Sequence, residues 1–144
     1  MQDWVSILKK TMKEFSIEME VRDYECDIQG IVNNANYMHY IEHTRHKFIQ
    51  TIGLSFADLH AQGIDVVVAR VNMQYKTSLR PEDKFISRLT MTKEGIRYVF
   101  HQDIIRKADM KLCMRATVDT ACVVNGRLGD SEVLQEAFKD YLDQ

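Results

Sequence analysis

At 144 residues the chain is long enough for one domain with a real core and too short for two. Apolar residues make up 45% and charged residues 28%, an ordinary globular mixture. Nineteen basic against 21 acidic residues leave a formal charge of -2, which argues against nucleic acid as the main partner. No apolar run approaches the ~20 residues of a membrane span, and the first residues, MQDWVSILKK, lack the pattern of a secretory signal.

In chain order, Trp4, Ile7, Leu8 and Met12 recur at helical spacing, which predicts a short helix over 3–12. Phe15, Ile17, Met19 and Val21 then alternate with polar residues, the period of a half-buried strand. Residues 24–33 read as a loop. A helix is expected from about Asn34 to Gln50, because Tyr37, Tyr40, Ile41, Thr44 and Phe48 fall on one face and Gly53 stands just beyond its end.

The period then becomes two. Val67, Ala69, Val71, Met73 and Tyr75 are expected on one face of a strand over 64–77, which Pro81 ends. Three further strands follow, over 83–93 (Phe85, Leu89, Met91), 96–106 (Ile96, Tyr98, Phe100, Ile104) and 112–124 (Leu112, Met114, Ala116, Val118, Cys122, Val124). Glu94-Gly95 and Ala108-Asp109 read as turns, and Asn125-Gly126 is a strong hairpin signal. Ser131 is placed to cap a last helix carrying Leu134, Ala137, Phe138, Tyr141 and Leu142. Tight turns make antiparallel neighbours, and strands in one block make an α+β fold, not an alternating one. Such a sheet has edges, and pairing two of them gives a two-fold homodimer or a larger homo-oligomer built from it.

Cys26, Cys113 and Cys122 are odd in number and lack metal spacing, which points to a reducing cytoplasm. Two chemistries compete in DIQGIVNNANYMHYIEH, residues 27–43. His39, Glu42 and His43 form H-x-x-E-H, a zinc-hydrolase pattern. Both histidines, with His46, fall opposite the aromatic stripe, however, and no third ligand stands out. A polar outer face explains them better. The other chemistry needs no metal or other cofactor. Asp27 precedes a helix whose first amides, near Asn34 and Ala35, suit a developing oxyanion, and Gly30 lets the chain turn between them. Glu42 and Tyr24 are candidates for supporting the site. Arg70, Lys76, Arg80, Arg88, Arg106 and Arg127 are candidate phosphate contacts, each of which alone reads better as a solvated surface charge.

Residues 24–37, YECDIQGIVNNANY, resemble the core motif of the hotdog-fold acyl-CoA thioesterases of the 4-hydroxybenzoyl-CoA thioesterase-like group, and the similarity runs on through Glu42 and Arg45. The resemblance covers roughly residues 15–125. It implies an antiparallel sheet of about five strands wrapped around one long helix, with residues 1–12 as an N-terminal extension to a single domain over 1–144. It further implies hydrolysis of an acyl thioester carried by CoA or acyl carrier protein. Asp27 would be general base or nucleophile, the Asn34 amide would polarise the carbonyl, and Gly30 would be the turn glycine. A module that binds acyl thioesters without turning them over is the alternative, since a fold alone does not grant catalysis.

Overall fold

The computed structural model describes residues 13–142. The helix expected over 3–12, with Trp4, lies outside the described residues. Strand β1 (Phe15–Glu20) leads through a single 3-10 turn (Asp23–Glu25) and a short hairpin into helix α1 (Asn34–Thr51). Helix α2 (Phe56–Ala61) follows, then β2 (Ile64–Tyr75), β3 (Lys84–Glu94), β4 (Arg97–Arg106), β5 (Lys111–Val124), β6 (Arg127–Leu128) and α3 (Glu132–Phe138). The sheet order is β1-β3-β4-β5-β2, with β6 attached to β5 and every pairing antiparallel. The sheet and α1 share one core, as expected for a hotdog α+β fold.

Alternation sets the inner face. Phe85, Leu89 and Met91 on β3 are fully buried, as are Tyr98, Phe100 and Ile104 on β4 and Met114, Ala116, Val118 and Cys122 on β5. Against them lies the stripe expected on α1: Tyr37, Tyr40, Ile41, Thr44 and Phe48 are all buried. Phe48 packs edge-on against Tyr141 and Phe100 and stacks on Phe138. Helix α1 ends where Gly53 adopts φ +82°. The Gly53 N–H bonds to Gln50 O and the Leu54 N–H to Ile49 O, a Schellman cap that uses the left-handed conformation glycine permits. Asn125 and Gly126 both have positive φ and join β5 to β6 in a two-residue hairpin, as their sequence requires. Ser131 accepts from the Leu134 N–H and caps α3, although Tyr141 and Leu142 lie in the turn beyond it, not in the helix.

The face predictions fail at three places: Ile96 lies exposed in the turn before β4, a slip in the pairing of β4 with β5 between Ile104 and Ile105 takes Leu112 out of the core, and β2 changes face part-way. The pairing of β2 with β5 slips at Ala69, between Val68 and Arg70. The extra residue reverses which face each side chain takes. Ile64 and Val66 turn inward before the bulge, Val71 and Met73 after it, and Val67 and Ala69 face solvent. β2 is also an edge of the sheet, with β5 its one neighbour among the described residues. Helix α1 packs on β1 and β3 and meets β2 at Tyr75, and a seam opens between α1 and the rest of that edge.

Candidate functional site

The hairpin before α1 is built by its own backbone. A bridge pairs Cys26 with Val32, Asp27 N–H bonds to Ile31 O, and Gly30 N–H bonds to Asp27 O. Gly30 sits at φ +75° with open space around its missing side chain, so its conformation, not crowding, is what calls for glycine. Asp27 is half-buried, and its Oδ1 accepts from the Gln29 N–H at 2.8 Å. Among the described residues no donor reaches its Oδ2.

The hairpin is fastened to α1 through a residue that sequence reasoning passed over. Glu25 is only 7% exposed. Its Oε1 accepts from the Arg22 N–H (2.8 Å) and the Tyr40 hydroxyl (3.0 Å), and its carbonyl accepts from the Asn33 N–H (3.0 Å) and the Asn36 side-chain amide (2.7 Å). Burial, and after it the hydrogen bond to Glu25, drive the Tyr40 hydroxyl pKa far up, so Tyr40 remains a donor. The helical spacing of Tyr37 and Tyr40 signals a buried face, but nothing local marks Glu25 as the partner of Tyr40.

At the start of α1 the amides are unequally used. Asn33 is the N-cap, and its Oδ1 takes the Ala35 N–H at 2.9 Å while its carbonyl takes the Asn36 N–H. The expectation that both Asn34 and Ala35 offer free amides is therefore corrected: Ala35 is occupied. Among the described residues nothing accepts the Asn34 N–H. Asn34 opens onto a cleft of about 240 Å³, shared with Tyr37, Tyr75 and Lys76. Tyr75 stands edge-on to Tyr37, and its hydroxyl donates to Asn34 O at 3.4 Å. Asp27 does not line this cleft; it stands on the hairpin whose Ile31 and Val32 do.

The other candidates separate clearly. Tyr24 is 77% exposed and without a hydrogen-bond partner among the described residues. Glu42 is exposed and borders a second, larger cavity further along α1. His39 and His43 are exposed, His39 touching Asn36, and no three potential ligands gather among the described residues. His46, expected on the outer face, is exposed but rests against Phe56 beside the larger cavity. Arg88 pairs with Asp103 and Arg106 with Asp109, whereas Arg70, Lys76, Arg80 and Arg127 pair with no carboxylate among the described residues. All three cysteines are free thiols, and burial pushes the pKa of each upward, which suits packing better than nucleophilic attack.

A curled antiparallel sheet packed on one long helix is the hotdog architecture of thioester hydrolases. The family model described as the thioesterase-like superfamily matches residues 21–142, and the chain belongs to that superfamily. A provisionally named esterase of Aquifex aeolicus (strain VF5) is 35% identical over 137 residues, covering 88% of this chain and 98% of that protein. The chloroplastic acyl-acyl carrier protein thioesterase ATL3 of Arabidopsis thaliana is 33% identical over 99 residues. That match covers 68% of this chain and 52% of the plant protein, so the chain spans about half of its length. A hypothetical protein of Staphylococcus aureus, solved in complex with CoA, shares the fold with a TM-score of 0.82 at 16% identity, over 90% of this chain and 84% of that one.

Proposed function

We propose that the protein hydrolyses an acyl thioester, carried by CoA or by acyl carrier protein, to the free acid and the thiol. The observation that carries this reading is the Asn34 amide, unclaimed at the head of an 18-residue helix while Asn33 satisfies its neighbours. The partial positive charge there favours a developing oxyanion, and one such donor is worth roughly 10²–10³ in rate. The thioester carbonyl is electrophilic because sulfur donates poorly into it. Oδ1 of Asp27 is held by Gln29, which leaves Oδ2 to take a proton from water or to attack the carbonyl carbon. In the second route the thiolate leaves, and water opens the resulting anhydride. The relatives' names and the CoA complex of the Staphylococcus structure support the substrate class.

The same reading makes the protein a homodimer or larger homo-oligomer, paired through the open edge of β2, with the cleft beside Tyr75 completed at the interface. Three free thiols fit a reducing compartment such as the cytoplasm.

Thiol release from a panel of acyl-CoA and acyl carrier protein substrates is the test. Asp27→Asn keeps the shape and removes the charge, and release is expected to fall at least ~10²-fold. Full activity in that variant removes Asp27 from the mechanism. Binding without release by the wild-type protein supports the non-catalytic alternative.

A further inference from the structure

The larger cavity, about 470 Å³, lies between the second half of α1, helix α2 and the start of β2. Its walls include Ile49, Phe56, Ile64, Val66, Phe100 and Phe138. This is the size and character of a ligand pocket: apolar walls with a few polar groups. Both this cavity and the cleft at Asn34 lie on the seam between α1 and β2, which run in opposite directions past each other. Tyr75, at the far end of β2, borders the cleft, and Ile64 to Val68 border the cavity.

One wall carries a buried cation. Arg45 is only 8% exposed. Its Nη1 donates to Gln102 Oε1 at 3.0 Å, and Gln102 in turn donates to Ile41 O at 3.0 Å. No carboxylate lies within ion-pair distance of Arg45 among the described residues. Arg45 itself lines the cavity, and Gln102 is the one hydrogen-bond partner of its guanidinium among the described residues. Beside the charge of Glu42 one turn away, this buried cation has a single neutral hydrogen-bond acceptor, an expensive arrangement in a mainly apolar pocket. Thr120, also on the wall, donates its proton to Tyr98 O and keeps lone pairs to accept with.

Resting on the thioester-hydrolase reading, we infer that this cavity receives the far end of the acyl chain and selects chains bearing a hydroxyl group there, held by Arg45 as donor and Thr120 as acceptor. Length agrees. Eleven residues of helix separate Asn34 from Arg45, roughly 16 Å, the reach of a medium-to-long chain and not of a short acyl or single-ring group. Charge decides between a hydroxyl and a carboxylate. Glu42 and Asp65 also border the cavity, the latter bonded to His60, and together they oppose a second anion. A plain chain would take water from the guanidinium and return nothing, and sites built to hydrogen-bond a hydroxyl reject analogues that lack it.

The test compares CoA thioesters of one long chain ending in methyl, in a hydroxylated carbon or in carboxylate. The hydroxylated chain is expected to show a kcat/KM at least about tenfold above both others, the scale of one hydrogen bond to a charged group. Arg45→Met, of similar length, is expected to bring the hydroxyl-to-methyl ratio close to one. The inference is overturned if the methyl or carboxylate chain is preferred, or if the ratio survives in Arg45→Met. Should that variant not fold, the wild-type ratios decide. Should no thioester release thiol, the hydrolase reading has failed separately. Calorimetric binding of the free hydroxy acid against the plain acid then decides the cavity's preference, equal or weaker binding of the hydroxy acid overturning it.

Discussion

At the scale of single residues, the carboxylates of this protein do different work according to what surrounds them. Asp27 spends one oxygen on a turn. Glu25 spends its side chain and its carbonyl on holding that turn against α1. Removing the Tyr40 hydroxyl leaves a buried carboxylate short of one donor, which costs about 1–3 kcal/mol. Tyr40→Phe is therefore expected to lower stability in urea titrations by that amount. It is also expected to lower kcat more than it raises KM, because the hairpin bearing Asp27 loses its anchor. Glu25→Gln, which keeps an acceptor for Tyr40, should retain more kcat than Glu25→Ala; equal losses would confine Glu25 to stability. Asp130 gives a pH prediction. Partial burial opposes its ionisation, but bonds from Lys93, Tyr98, the Ser131 N–H and Gln135 outweigh it and bring its pKa from 3.8 down to about 2. The folded value lies below the unfolded one, so the stabilisation is full above about pH 4 and is lost as pH falls from there towards 2. It amounts to about 2 kcal/mol. Wild-type protein should lose more stability between pH 5 and 3 than Asp130→Asn; parallel losses would refute the assignment. The motif that carries Asp27, Gly30 and Asn34 is contiguous and stands out in the sequence. The Glu25–Tyr40 and Arg45–Gln102 bonds join residues 15 and 57 positions apart, and no local pattern announces them.

At the scale of elements, periodicity carried most of the structure. The aromatic stripe of α1, the inner face of β3, that of β4 from Tyr98 onward and the Asn125-Gly126 hairpin follow from spacing and turn chemistry alone. β2 did not follow, because one inserted residue at Ala69 inverts the alternation, and a bulge depends on the partner strand as much as on its own sequence. Helix α2 and the two-residue β6 are too short for any period to register. The cap of α1 offers a direct test of element-level reasoning. Gly53 holds φ +82° with empty space around the missing side chain, so Gly53→Ala meets no clash and suffers only the backbone penalty. That penalty is about 1 kcal/mol, to be read as a lowered urea midpoint with unchanged activity. No loss would mean that the Schellman turn is not maintained in solution.

At the scale of the whole molecule, the two ends of the sheet are unlike. At β1 the strand is six residues long and carries Glu18 and Glu20. At β2 it is 12 residues long and mostly solvent-facing, with Val67, Val68 and Tyr75 exposed. A long open edge with β-branched residues is a template for another strand unless something covers it. Strand β2 runs antiparallel to β5, so a two-fold axis beside it would extend the antiparallel sheet into a second copy. Such an axis would also bring the partner next to Tyr75 and the cleft at Asn34 and so would join assembly to the proposed catalysis. Light scattering should accordingly give a mass of at least twice 16.8 kDa for the wild-type protein. Ala69→Lys, at an exposed position off the cavity wall, puts a charge on that edge, the device by which natural sheets stay unpaired. It is expected to shift the mass towards 16.8 kDa at low concentration while circular dichroism stays native, and thiol release should fall along with the oligomer fraction. Activity that persists in a monomer would free the site from the interface, and a wild-type monomer would leave the edge of β2 to some other partner.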